Sequence, residues 1–176
     1  MKNAEIDLPA GWKGKEEITT ETTKLAKQLA MVHYHFAKSA IEEMGEIKGT
    51  EFVKKVLKNI AIERGQAMRE DAARLNLPFT QENMWKVNDL PKYTFPHQGH
   101  AGEICCPYAE IWKAKGALGQ KIGLLWCNIV DPWKVKVFVG PKYKLWKYSK
   151  NLNLKDDFCG EPIPLSKEES EEQEKM

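Results

Sequence analysis

The stretch His97–Trp112, HQGHAGEICCPYAEIW, holds two of the four histidines and two of the four cysteines in the chain. The other two cysteines follow at Cys127 and Cys159. Imidazole and thiolate groups can act as nucleophiles, move protons or bind soft metal ions. The second half of the chain therefore holds most of the groups that could carry chemistry.

Cys106 is the candidate nucleophile, because it directly precedes Pro107 and a predicted helix. Proline is favoured at the first position of a helix, where its missing N–H is harmless. A helix N-terminus presents free N–H groups and partial positive charge, which stabilise a thiolate and lower its pKa. The alternative is that Cys106 fills a gap in the core. The side chain of the adjacent Cys105 is expected to point in a different direction, so at most one of the two thiols is expected to take part in the chemistry.

The spacing of His97 and His100 could place two imidazoles near one metal ion. Together with Cys106, Cys127 or Cys159 they would give mixed nitrogen and sulfur ligation, which suits zinc. The spacing matches no standard zinc-finger pattern, and two solvent-exposed loop histidines are the simpler interpretation.

Taken alone, the last two cysteines favour structural roles. Cys127 lies in the apolar segment GLLWCNIVD, and free cysteine is among the most buried residue types. Cys159 closely follows Asp156 and Asp157, which are more often turn or cap residues than catalytic ones.

The composition narrows the class of protein. The chain has 176 residues and a net charge of +2, with no basic stripe, so nucleic acid is a poor partner. It has no apolar run of membrane-spanning length, and its start resembles no signal peptide. We therefore expect a cytoplasmic protein with reduced thiols and no membrane partner.

The first half of the chain predicts helices. The first is expected to be capped by Thr19 or Thr20 and to end before Gly45, and the second to begin after Thr50. Gly65 lies inside the second helix and suggests a close packing contact or a break. Apolar residues of the first helix recur every three or four positions and predict one helical stripe: Leu25, Leu29, Val32, Phe36, Ala40 and Met44.

The pattern changes after Pro91. A short helix QENMWKV, capped by Thr80, precedes this point, and two helices follow it, PYAEIWKAKG and ALGQKIGLLWCNIVD. The alternation in KVKVFVG predicts a strand, KLWKYSKNLN a second, and DDFCGEPIPL a third that its prolines confine to an edge.

Helices first and a small antiparallel sheet last predict an α+β fold, with a helical N-terminal half followed by two helices and the sheet. The expected division is a polar N-terminal arm over 1–18 and a single domain over 19–165. The charged segment 166–176 is expected to be a disordered tail.

Three segments of the second half, CPYAEIWKAKG, GLLWCNIVD and VFVGPKYKLWKYSKNLNLKDDFC, resemble the L-2-amino-thiazoline-4-carboxylic acid hydrolase family. Proteins of that type carry a Cys before a short helix, a Cys-x-x-x-Asp segment and a closing Gly-Asp-x-x-Cys. Cys106, Cys127 with Asp131, and Asp156 or Asp157 with Cys159 occupy those places. The resemblance covers roughly residues 100 to 160. Lys155 and the segment CGEPIP depart from the family pattern, which leaves the floor of the pocket unspecified.

The resemblance implies a hydrolase that acts on C–N bonds in cyclic amidines such as 2-aminothiazoline-4-carboxylate. It also implies that the three cysteines Cys106, Cys127 and Cys159 face one site. The expected catalytic residues are Cys106, Asp131 and His100. The expected substrate-binding residues are Cys127, Cys159, Asp157 and Tyr108. The substrate carboxylate would need a cation, which Lys142 or Lys144 could supply, although lysines on such a strand are usually solvated.

Two mechanisms fit these residues. The Cys106 thiolate could attack the electrophilic ring carbon, with His100 or Asp131 moving protons. Alternatively, zinc or iron held by Cys106, Cys127, Cys159 and His100 could supply hydroxide at neutral pH.

Two further classes of function stay open. The chain could be a non-catalytic Cys/His protein that binds a metal or a small cofactor. It could also be a helical oligomerising protein whose cysteines belong to the core. Apart from a small-molecule substrate, a homodimer is the partner left open.

Overall fold

The computed structural model of the chain describes residues 15–87, 89–90, 106–151, 153 and 162–176, with side chains described from Glu21 onward. Helices dominate these ranges, and a two-stranded sheet lies near the C-terminus, which confirms the α+β prediction. In chain order the elements are α1 (Lys15–Met44), α2 (Glu46–Arg74), α3 (Gln81–Met84), α4 (Pro107–Ala114), α5 (Gly116–Val139), β1 (Trp146–Tyr148), β2 (Pro162–Pro164) and α6 (Lys167–Lys175).

The packing of α2 against α5 forms the centre of the molecule, and α1 and α4 pack beside it. Gly65 permits this close contact. A β-carbon at Gly65 would lie 2.7 Å from Cβ of Val137 and 2.9 Å from the carbonyl oxygen of Lys134, closer than atoms can approach. The close packing contact predicted at Gly65 is thus confirmed, and α2 continues through this residue without a break.

The face of α1 that is buried lies beside the predicted apolar stripe. Small and aromatic residues face the core, whereas most of the large apolar residues face outward. Leu29 is 50% exposed and Val32 is 66% exposed. Small side chains let helix axes approach closely, and this explains why alanines form the contact. The buried residues of α1 are Ala26, Ala30, His33, Tyr34 and Ala37.

The predicted helix boundaries are right at some positions and wrong at others. Gly45 follows α1 with φ of 79°, the left-handed conformation that suits glycine at a helix end. However, α1 begins at Lys15, so Thr19 and Thr20 lie inside it and residues 15–18 of the expected arm are helical. The second helix begins at Glu46 rather than after Thr50. Thr80 caps α3 as predicted, by accepting a hydrogen bond from the backbone N–H of Asn83.

The strand predicted for KVKVFVG is wrong, because α5 continues through this segment to Val139. Val135 and Phe138 are buried at a spacing of three, and Lys134 is buried as well, so nearly the whole surface of this turn is covered. Pro132 lies inside the helix, where proline removes one hydrogen bond and costs about 3 kcal/mol. Burial of the apolar residues around it offsets that cost.

No helix in the described ranges is long and apolar enough to cross a membrane.

The predicted strands in KLWKYSKNLN and DDFCGEPIPL are present as β1 and β2, which pair antiparallel with Lys147 opposite Ile163. The prolines of β2 leave this strand exposed at an edge, as expected. With the first predicted strand absorbed into α5, the sheet has two strands in the part of the chain that the structure describes.

The C-terminal tail, for which we expected disorder, forms α6. Ser166 and Glu169 form a capping box, in which each side chain binds the backbone N–H of the other residue. Acidic residues of α6 then pair with lysines of the body, as Glu172 does with Lys54 at 2.5 Å. The contacts that hold α6 against the body are thus largely between polar side chains, and an apolar pattern in the sequence does not indicate them. One more polar contact joins Gln173 to the indole N–H of Trp133 on α5.

Candidate active site

Cys106 lies at the N-cap of α4, as the sequence predicts, with Pro107 at the first helical position. Its Sγ accepts a hydrogen bond from the backbone N–H of Ala109 across 3.4 Å. The sulfur thus lies where backbone N–H groups and the helix dipole favour negative charge. Cys106 is partly exposed, so a small molecule can reach it.

Tyr108 follows on the first turn of α4 and is buried against aromatic rings of the core. Its ring centroid lies 5.5 Å from that of Trp112 and 5.8 Å from that of Trp126. Burial raises the pKa of the Tyr108 hydroxyl; the charge of Arg64 opposes this shift, whereas interactions with Cys106, Asp131 and Asp89 add to it. The hydroxyl therefore keeps its proton at neutral pH and can donate it in a hydrogen bond.

A charged cluster of Arg64, Asp89 and Lys134 lies near Tyr108. The guanidinium of Arg64 donates two hydrogen bonds to Asp89, one of them from Nη2 to Oδ1 across 3.0 Å. Nζ of Lys134 lies 3.7 Å from the same Oδ1. Burial alone would raise the pKa of Asp89, but the hydrogen bond from Arg64 and the charge of Lys134 hold it below its usual value. Two cations thus share one carboxylate, and the cluster has a net positive charge.

Asp131 links this cluster to the sheet. The hydroxyl of Tyr148 on β1 donates a hydrogen bond to Oδ2 of Asp131 across 3.2 Å. The charge of Asp131 also acts on the neighbouring groups: it helps to raise the pKa of Arg64, which burial alone would lower, and that of Tyr108. Asp131 is only partly buried, so its carboxylate is available for proton transfer.

Cys127 lies deeper than Cys106, in the core on α5. Its sulfur accepts a hydrogen bond from Nδ2 of Asn153 across 3.3 Å, and the same amide donates to Oδ1 of Asn151 across 2.8 Å. Cys106 packs against the hydrophobic cluster that contains Cys127. Both thiols therefore border the same core.

His33 is buried among aromatic rings of the core. Its ring centroid lies 5.7 Å from that of Trp112 and 5.0 Å from that of Trp126. Burial lowers the pKa of His33 to about 4, although a hydrogen bond to the backbone of Ile122 opposes the shift. The imidazole is neutral at physiological pH. His35, two residues later, is exposed.

Several predicted site residues lie outside the described residues: His97, His100, Cys105, Asp156, Asp157 and Cys159. Within the ranges that the structure does describe, no group of three His, Cys, Asp or Glu side chains could hold a metal ion. Lys142 and Lys144, considered for the substrate carboxylate, are both exposed.

The Arg64–Asp89–Lys134 cluster was not predicted from the sequence. Arg64 and Asp89 are 25 positions apart, and neither belongs to a motif. One local sign was available: Lys134 lies three residues after Asp131, so a helix that continued past Pro132 would place both on one face. The strand predicted for this segment concealed that relationship.

The sequence model of the L-2-amino-thiazoline-4-carboxylic acid hydrolase family matches residues 24–160 of this chain. The chain belongs to this family. The match confirms the resemblance found in the second half and extends it over α1 and α2. No curated protein and no solved structure was found to match the chain.

In this member of the family, neighbouring elements supply four kinds of group. These are a thiol at a helix N-terminus, a protonated tyrosine, a carboxylate and a cationic cluster. Such a set can supply a nucleophile, a hydrogen-bond donor, a proton carrier and a binding group for an anion.

Proposed function

We propose that the protein is a hydrolase that opens the ring of a cyclic amidine resembling 2-aminothiazoline-4-carboxylate. The observation that carries the proposal is the position of Cys106, a partly exposed thiol at the N-cap of α4. The family to which the chain belongs supports the reaction class. A cytoplasmic location, where thiols stay reduced, would suit a cysteine nucleophile.

The first proposed step is attack of the Cys106 thiolate on C2, the ring carbon bonded to two nitrogens and one sulfur. The new S–C2 bond forms as the C2=N3 double bond becomes single, and N3 takes a proton from a neighbouring acid. The C2–N3 bond then breaks. N3 takes a second proton and leaves as an amine, while the exocyclic nitrogen gives up one of its two protons and forms the new C=N bond, so the ring opens on the enzyme.

The second proposed step is hydrolysis of this intermediate. Water adds to the same carbon, and a base takes one of its protons. The bond from C2 to Cys106 breaks, the thiolate leaves and the C=N nitrogen becomes the amide of a carbamoyl group. The net reaction adds one water to the substrate and gives a carbamoyl-cysteine.

We assign the proton transfers to Asp131 and His100, which act as acid and base in turn. The hydrogen bond from Tyr148 orients the Asp131 carboxylate. The protonated hydroxyl of Tyr108 would bind the developing negative charge or a substrate nitrogen. We assign Cys127, Cys159 and Asp157 to substrate binding.

The substrate carboxylate needs a cation, and we infer that the Arg64–Asp89–Lys134 cluster supplies it. The side chains of Arg64 and Lys134 are 17% and 10% exposed, and they share one close carboxylate. Within the cluster two largely buried cations share one carboxylate, which favours an anionic ligand, although the charge of Asp131 also acts on Arg64 and opposes this effect. Lys142 and Lys144 lack such surroundings.

Product analysis tests the proposal. The protein, purified without a metal-affinity tag under reducing conditions, is incubated with 2-aminothiazoline-4-carboxylate, and the products are identified by mass spectrometry. We expect a carbamoyl-cysteine with a free amine and no free thiol. A product with a free thiol would mean that the C–S bond breaks instead.

Metal analysis of the same sample separates the mechanisms. If Cys106 is the nucleophile, turnover is independent of the metal content per chain. If zinc or iron held by Cys106, Cys127, Cys159 and His100 supplies hydroxide, turnover follows the metal content. Stoichiometric metal with protected thiols and no turnover would identify a non-catalytic binding protein.

A further inference from the structure

The stripe on α1, formed by Leu25, Leu29, Val32, Phe36, Ala40 and Met44, is an exposed apolar surface with the spacing of a helix interface. Five of its six residues are between 43% and 66% exposed, and the sixth, Ala40, is partly buried against the core. A soluble chain rarely exposes a contiguous row of large apolar side chains without a partner. We propose that this stripe pairs antiparallel with the same stripe of a second copy of the chain.

The spacing of the stripe is nearly the same when it is read in either direction. The intervals are four, three, four, four and four residues. When the stripe is laid antiparallel on itself, Leu25 meets Met44, Leu29 meets Ala40 and Val32 meets Phe36 of the second copy. A two-fold interface requires such self-complementarity, because the same surface contributes both halves. Intervals of three and four are also those of the apolar seam in coiled coils.

A groove beside the stripe offers a place for side chains of the second copy. It has a volume of about 780 Å³ and lies between α1 and the start of α2. Phe36 and Phe52 form one part of its lining, with ring centroids 6.0 Å apart. Large residues that fill such a groove supply most of the energy of an interface.

The charges beside the stripe favour the antiparallel arrangement over the parallel one. Lys24 lies at the first end of the stripe, where it pairs with Glu21 of its own chain, and Glu42 and Glu43 lie at the other end. Lys24 and Glu42 are on the same side of the helix, whereas Glu43 lies in line with the stripe. Antiparallel pairing brings Lys24 beside Glu42 and Glu43 of the second copy, whereas parallel pairing brings like charges together. Among the described residues Glu43 forms no ion pair within its own chain.

The proposed interface is small. From Leu25 to Met44 the helix is about 28 Å long, and one pair of helix faces of this length forms a contact whose area is at the low end for a specific interface. We therefore expect a dissociation constant on the order of micromolar and a dimer that dissociates on dilution.

Analytical ultracentrifugation of the full chain tests the proposal. At roughly 100 µM, well above that constant, the expected mass is twice the 20.2 kDa of one chain. Leu29→Glu is expected to give monomer at the same concentration. Leu75→Glu is the matched control, because Leu75 is 59% exposed but lies away from the stripe, and this variant should remain dimeric. Both positions are exposed, so both variants should keep their helix content by circular dichroism.

A charge reversal tests the antiparallel arrangement. Lys24→Glu alone and Glu43→Lys alone should each weaken the dimer by about threefold or more, because like charges then face each other. The double variant should recover an affinity close to that of the wild type. A monomeric wild-type protein, a dimer that survives Leu29→Glu, or a double variant weaker than both single variants would overturn the proposal.

Discussion

The sulfur of Cys106 accepts a hydrogen bond from the backbone N–H of Ala109 across 3.4 Å, at the first turn of α4. One side chain thus has two roles. It satisfies a helix N–H group that has no partner within the helix, and it presents a sulfur whose negative charge the helix stabilises. Substitutions can separate the two roles, because serine can replace the capping group but not the thiolate.

The capping role predicts different stabilities for two variants at this position. Cys106→Ser should change the free energy of unfolding by no more than about 1 kcal/mol, because serine is a favoured N-cap residue. Cys106→Ala removes the acceptor and should destabilise the protein by about 1 kcal/mol more than the serine variant does. Urea unfolding followed by circular dichroism measures both values. Equal stability of the two variants would show that the cap contributes nothing.

Gly65 predicts a steric effect that opposes helix propensity. Alanine in place of glycine inside a helix normally stabilises it by about 1 kcal/mol. At Gly65 the new β-carbon would lie 2.7 Å from Cβ of Val137, so α2 and α5 must move apart. Gly65→Ala should therefore destabilise the protein by about 1–3 kcal/mol. Gln66→Ala, at the exposed neighbouring position, is the control and should leave the melting temperature nearly unchanged; a higher melting temperature for Gly65→Ala would contradict the packing argument.

His33 predicts a dependence of stability on pH. Its pKa is about 4 in the folded protein and 6.5 as the ordinary value, so the unfolded chain binds the proton more tightly. The stabilisation is complete above about pH 7 and is lost as the pH falls from 6.5 to 4, by on the order of 3 kcal/mol in total. Unfolding free energies measured across this range should show a shallower slope for His33→Leu than for the wild type. His35→Gln changes an exposed histidine and should keep the wild-type slope; equal slopes in all three proteins would refute the assignment.

Replacement of Asp89 by asparagine should destabilise the protein strongly, although the two side chains have nearly the same shape. Asp89→Asn removes the charge that Arg64 and Lys134 share and leaves two largely buried cations unpaired. Loss of one partner of a buried ion pair costs about 3 kcal/mol or more. Asp71→Asn is the matched control, because Asp71 pairs with Arg74 on the exposed surface and should change stability by less than about 0.5 kcal/mol. Thermal unfolding that gave the same shift for both variants would argue against a buried network.

The sequence predicts the helices well but predicts their contacts poorly. The intervals in α1 identify a helix, yet Leu29 and Val32 are exposed while Ala30 and Ala37 are buried. Large apolar side chains at helical spacing indicate an apolar face, and this face can belong to the core or to another interface. Nothing local distinguishes the two cases.

The error in the KVKVFVG segment has a similar cause. Alternation is the pattern of a strand, but Val135 and Phe138 are also three positions apart, which is one helical turn. Proline inside a helix normally ends or kinks it, whereas packing against α2 keeps α5 continuous through Pro132.

The candidate site was predicted in part. Cys106 could be placed because its cap and its proline are adjacent in sequence. Arg64 and Asp89 could not be placed, because the ion pair that joins them exists only when the segment after α3 lies against α2. A single sequence shows which chemical groups are neighbours along the chain. It does not show which residues from distant positions come into contact in the folded protein.

The most direct test of the proposed function is the rate at which wild type and Cys106→Ser convert 2-aminothiazoline-4-carboxylate to carbamoyl-cysteine, measured by mass spectrometry on protein shown to be folded. We expect turnover by the wild type and a loss of at least about a thousandfold in the variant, as when an essential nucleophile is removed. Equal turnover in the two proteins would remove Cys106 from the mechanism. A wild-type protein that leaves the substrate unchanged would contradict the proposed activity itself.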